Sequence, residues 1–156
     1  MNAFFAQLKS KIETEKSYVI SKHMQDFSVD NLAKRINKDF PCQENEFNVL
    51  YCYSLINSEF LYPNGNSPIL YIGQSAGEKH HKKKDLGFRF KHCKEGSDNK
   101  INVCLSNYYQ KGMVLLLEIF SLKKGFDSKA EEKELRKEFL KQYKSYPIAD
   151  GASYKK

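Results

Sequence analysis

Two rhythms of apolar and polar positions run along the chain, and one gives way to the other near residue 45. In the first stretch Ala3, Phe4, Leu8 and Ile12 recur at helical spacing, and Tyr18, Val19 and Ile20 follow. This pattern predicts a helical N-terminal arm over residues 1–45. A second helix within it starts at Ser28 or Asp30, both natural N-caps; Leu32, Ile36 and Phe40 then follow four residues apart, and Pro41 stops it. Beyond residue 45 the character changes. FNVLYCYSLI, from Phe47 to Ile56, is rich in β-branched and aromatic residues and reads as a strand. The PNGNSP stretch is a turn, and Ile69 to Gly73 is a second strand, so the two form an antiparallel hairpin with an enlarged tip. Leu86–Lys94 and Ile101–Gln110 read as short helices, the latter broken by Gly112. Met113–Phe120 is a third strand, apolar on both faces. A final helix is predicted from Lys129 to Lys144. Ser128 to Glu131 spells a capping box, and Leu135, Phe139, Leu140 and Tyr143 form its buried stripe. The expected fold class is α+β: a small three-stranded antiparallel sheet flanked by helices over residues 46–156, preceded by the helical arm.

Composition narrows the function classes. The chain has 156 residues, the size of one domain, and 40% of them are hydrophobic, with 11 Phe and 10 Tyr. That is enough for a real core and argues against disorder. The longest apolar run, around Val114 to Phe120, is far short of the roughly 20 residues a bilayer span needs. The N-terminal MNAFFAQLKSKIE carries charges where a secretory signal carries an apolar run. Cys42, Cys52, Cys93 and Cys104 show neither C-x-x-C nor zinc-finger spacing, so reduced thiols and a cytoplasmic location are expected. The formal charge is +7, and it is concentrated. Between Lys79 and Lys100 stand eight Lys/Arg against three acids, together with His80, His81 and His92. A solvated loop would explain such a run. A phosphate-facing patch explains it equally and also uses the interleaved Phe88 and Phe90 as anchors.

One set of residues resembles the GIY-YIG nuclease superfamily. Tyr71-Ile72-Gly73 ends a strand and is followed by Gln74-Ser75, like the second half of that signature. Val49-Leu50-Tyr51 on the preceding strand takes the place of the first half, with Val49 where the family carries Gly. Arg89 and His92 follow on a predicted helix, and a third strand then leads to a Glu-bearing helix. Tyr146 to Asp150 is similar to the segment after that helix in phage homing members. The resemblance covers about Asn48 to Gly151. Tyr51 and Tyr71 are 20 positions apart, more than the family's short hairpin, which an enlarged turn through Glu59–Pro68 accounts for.

The resemblance implies a metal-dependent endonuclease of restriction type, acting on double-stranded DNA with Mg²⁺ or Mn²⁺ and without a membrane. A homodimer is one way for a single-site enzyme to cut both strands. By the same resemblance Tyr51 orients or deprotonates the attacking water and Tyr71 bonds the scissile phosphate. A phenol ionises near pH 10, so the basic role needs positive charge nearby. Tyr53 is assigned to the face opposite Tyr51. Arg89 is the expected phosphate clamp, since a guanidinium matches phosphate bidentately. His92 shares its helix face and serves as proton shuttle or phosphate ligand, with His80 and His81 as alternatives. Lys79, His81, Lys82, Lys83, Lys84 and Lys91 are expected on flanking phosphates. The metal carboxylate is expected on the last helix. Glu134 and Glu138 lie off its apolar stripe, and Glu131 is drawn into the capping box. Glu132 borders the buried face and is the first choice, with Glu131 second. Two other classes stay open: a nucleic-acid-binding module whose catalytic site has decayed, and a basic scaffold or toxin-like protein with another kind of partner. Metal-dependent cleavage separates the first two, and a gel shift at low salt tests the third.

Overall fold

The computed structural model describes residues 2–25, 28–40, 48–76 and 100–150. Its central feature is a four-stranded antiparallel sheet. The strands are β1 (Ile12–Ile20), β2 (Asn48–Leu55), β5 (Ile69–Ala76) and β6 (Leu115–Leu122), in the order β1-β6-β2-β5. Two short strands, β3 (Phe60–Tyr62) and β4 (Gly65–Ser67), form a separate hairpin between β2 and β5. The helices are α1 (Val29–Asp39), α2 (Lys100–Gln110) and α3 (Ser128–Tyr143), and a 3-10 helix covers Ala3–Leu8. The α+β class and the antiparallel sheet match the expectation.

The three-stranded sheet and the helical arm are corrected. Ahead of α1, only Ala3–Leu8 coils, with Phe5 and Leu8 buried. From Ile12 the chain is a strand in which Tyr18 and Ile20 are buried and Val19 between them is exposed. Strand β6 explains why. Six of its eight residues are buried, so both of its faces are covered. Left as an edge, it would offer an apolar row of unpaired backbone groups to any other strand. Pairing with β1, from Ile12↔Leu122 to Ile20↔Leu115, closes that edge. In turn β1 carries Glu13, Glu15 and Lys16, charges suited to an exposed edge.

The alternation of strand side chains builds two cores. On one face Tyr18, Ile20, Val49, Tyr51, Tyr53, Leu117 and Ile119 pack with Leu32, Ile36 and Phe40 of α1 and Leu105 of α2. Helix α1 starts where expected: the Ser28 hydroxyl accepts from the Asn31 amide at 3.0 Å. On the other face Leu50, Cys52, Ile72 and Phe120 pack with Phe5 and Leu8 and with Leu135 and Phe139 of α3. The α3 cap differs from the expected capping box. Asp127 is the N-cap, accepting from the Lys129 amide, while Ser128 is buried. Glu131 instead receives Lys11 Nζ at 2.8 Å on both carboxylate oxygens.

Side-chain amides pin both ends of α3. At its start Asn48 Oδ1 accepts from the Ser128 amide at 3.0 Å, and Asn48 Nδ2 donates to the Phe126 carbonyl at 2.6 Å. At its end Asn64 Nδ2 donates to the Gln142 carbonyl at 2.7 Å. Helix C-termini leave carbonyls without intrahelical partners, and Asn64 satisfies one of them. The helix stops at Lys144, whose φ of 57° takes the left-handed conformation.

Candidate active site: a tyrosine pair and a carboxylate–guanidinium cluster

Register brings the two expected tyrosines together. Tyr51 lies directly opposite Gly73, and Tyr53 opposite Tyr71. The Tyr51 and Tyr71 rings stand 5.8 Å apart between centroids. Gly73 makes this possible. A Cβ there would lie 2.5 Å from Tyr71 Cε1 and 2.6 Å from Tyr51 Cζ. The third residue of Tyr71-Ile72-Gly73 is therefore a glycine because two rings occupy the space of its side chain. Tyr53 is corrected: it shares the face of Tyr51, as residues two apart in a strand must, and its ring meets Tyr51 edge-on at 6.1 Å. Tyr51 is only 2% exposed, whereas Tyr71 is half-buried.

The expected metal carboxylate comes from the helix on the other face of the sheet. Glu132 is half-buried on α3, and its Oε1 lies 3.6 Å from Arg136 Nη1, one turn on. Arg136 Nη2 contacts Asp150 Oδ2, and the Tyr146 ring lies under the guanidinium at 5.7 Å. Burial pushes the Glu132 carboxyl up from the usual range; Arg136 opposes that shift, Asp150 adds to it, and Lys129 weakly opposes it. Glu131, the second choice, is taken by Lys11. Glu134 is exposed and pairs with Lys137, which lowers its pKa.

Residues 146–150 carry the connection between the two faces. The Ala149 amide donates to the Leu70 carbonyl on the outer edge of β5 at 2.9 Å, and Ala149 packs in the same core as Tyr51. The Ile148 amide donates to Tyr62 Oη at 3.2 Å, and that hydroxyl donates to the Ile69 carbonyl at 2.7 Å. Tyr62, on the small β3–β4 hairpin, thus clips the tail to β5 and packs on Phe139 and Tyr143 of α3. The enlarged turn between β2 and β5 is a brace for the segment that delivers Asp150.

Arg89 and His92 lie outside the described residues, as do Lys79, His80, His81, Lys82, Lys83, Lys84, Lys91 and the expected helix Leu86–Lys94. Among the described residues no three His, Cys, Asp or Glu side chains gather as a metal site. None of their helices is long and apolar enough to cross a membrane. Cys52 and Cys104 stand outside any disulfide, and burial pushes the Cys52 thiol well up. Arg136 and Asp150 were not among the expected site residues. The one signal for Asp150 was its place in the Tyr146–Asp150 segment.

Fold and site together define an antiparallel α+β protein with a tyrosine pair on one face of its sheet and a carboxylate–guanidinium cluster on the last helix. Compared with family models, curated proteins and solved structures, the chain matches none.

Proposed function

We propose that this chain is a GIY-YIG-type endonuclease of restriction type that hydrolyses phosphodiester bonds of double-stranded DNA with Mg²⁺ or Mn²⁺. The observation that carries the reading is the packing of Tyr51 and Tyr71 against Gly73 on neighbouring strands. In this reading water adds to phosphorus, the bond to one sugar oxygen breaks, and the leaving oxygen gains a proton. Tyr71, the more exposed of the pair, holds the phosphate; Tyr51 orients the water; Arg89 clamps the phosphate oxygens; His92 moves the proton. Lysines of the basic window hold flanking phosphates.

The donor chemistry on α3 suits a hard divalent cation. Glu132 offers a half-buried carboxylate whose contact with Arg136 is loose, and Mg²⁺ commonly takes one or two carboxylates, with water and substrate phosphate completing its shell. When bound, such an ion would supply charge stabilisation to a phosphate at the β5 edge, since Glu132 lies across the sheet from the tyrosine pair. The burial of Tyr51 favours a second reading, a binding module without catalysis.

A plasmid nicking assay with Mg²⁺ tests both. Wild type nicks DNA; Glu132→Ala, Arg89→Ala and Tyr71→Phe each lower the rate by about 10²-fold or more. Identical behaviour of all four proteins removes the site assignment. Salt-sensitive binding without cleavage by wild type selects the second reading.

A further inference from the structure

Glu132 and Arg136 stand one helical turn apart, the spacing at which a carboxylate and a guanidinium normally pair. Here they do not close. The 3.6 Å between Arg136 Nη1 and Glu132 Oε1 exceeds a hydrogen bond. The other guanidinium nitrogen is in direct contact with Asp150, whose side chain is only 4% exposed. The chain invests heavily in that contact. Tyr62 and Leu70 clip residues 148 and 149 to β5, the Asp150 amide donates to the Pro147 carbonyl at 2.9 Å, and Tyr146 stacks on the guanidinium. Two acids thus surround one base, and the three side chains together carry one net negative charge in a half-buried place, offset in part by Lys129. The part left over favours a cation beside Glu132.

We propose that Asp150 is a positioning residue that sequesters the Arg136 guanidinium and so keeps the Glu132 carboxylate open to a divalent cation. The proposal rests on the metal-dependent reading above. Without Asp150, Arg136 is released to its partner one turn back and competes with the ion for the same oxygens. Residues that support a metal ligand from behind are typically worth about 10–100-fold in metal affinity.

Mn²⁺ binding to the full chain, read from the spin-resonance signal of the free ion, tests this without requiring turnover. Wild type binds Mn²⁺ and Glu132→Ala does not. Asp150→Asn weakens binding about tenfold or more. Adding Arg136→Gln to Asp150→Asn restores it, and Arg136→Gln alone binds at least as tightly as wild type. Rescue by removing the guanidinium is an outcome that a purely structural role for Asp150 does not produce. Unchanged affinity in Asp150→Asn, or a double variant as weak as the single one, overturns the proposal and leaves the metal reading standing. If Asp150→Asn fails to fold, weaker binding by Arg136→Gln alone overturns it. Wild type that binds no Mn²⁺ overturns both.

Discussion

At the scale of single residues, Gly73 and Glu118 show how a side chain's surroundings fix what can stand there. Gly73→Ala places a methyl group among the Tyr51 and Tyr71 rings. Tyr51 is buried and has no room to withdraw, so the rings or the strand must shift. Overpacking of this kind costs about 1–3 kcal/mol. A lowered denaturation midpoint, with a proportionally larger loss of any nicking activity, is the expected result; a variant as stable and active as wild type would mean that the rings move freely. Glu118 is the opposite case, a carboxyl on a strand apolar apart from it and Ser121, and only 1% exposed. Burial raises its pKa, and the Asn2 amide donating to Oε1 at 3.3 Å offsets part of that. The folded state therefore holds this proton more tightly than the unfolded chain does. Its contribution to stability is present at low pH and is lost as pH rises through the raised folded pKa. Between pH 4 and pH 7 wild type should lose stability relative to Glu118→Gln, measured by urea unfolding at each pH. Parallel curves for the two proteins would contradict the shift. The tyrosines and Gly73 were legible in the sequence because their chemistry is local to two strands. Asp150 was not: it reaches Arg136 only after β5, the hairpin and the tail have assembled.

Elements were legible where their pattern is self-contained. Helix α1 combines a Ser28 cap with apolar residues four apart, and both act within the helix. The 3-10 helix and β1 were read as one helical arm because Ala3, Phe4, Leu8 and Ile12 happen to fall at helical spacing. What makes residues 12–20 a strand is the ladder offered by β6, a partner about a hundred positions away. The β3–β4 hairpin was visible only as an enlarged turn. Its work lies in Tyr62 and Asn64, which tie β5, the end of α3 and the tail into one unit. Tyr62→Phe keeps the ring packing on Phe139 and removes the hydroxyl between Ile69 and Ile148. The buried Ile69 carbonyl and the Ile148 amide then lose that partner, at about 1–3 kcal/mol. Faster amide exchange at Ile148 and Ala149 than within β5 is the expected signature. Uniform exchange across the protein would mean that the tail is held by other contacts.

For the molecule as a whole, the sheet order decides which edge is available for chemistry. Strand β1 ends one side with charged residues, while β5 ends the other and receives the tail. The tyrosine pair and the Glu132 cluster both belong to the β5 side, one on each face, with residues 146–150 passing between them. The basic window follows β5 in the chain. Five of the seven surplus positive charges fall in that window, eight Lys/Arg less three acids. Phosphate neutralisation releases counterions, so the logarithm of the binding constant falls with the logarithm of salt by about 0.9 per phosphate contacted. Replacing Lys82, Lys83 and Lys84 together with Gln should therefore flatten that slope by about 2–3 for duplex DNA. The decisive comparison is between this variant and one carrying three Gln at Lys34, Lys38 and Lys16, on α1 and on the far edge strand. If the charge acts as a local phosphate track, only the first variant flattens the slope. If it acts through the total field of a +7 protein, both flatten it equally, and the basic window is no local phosphate track.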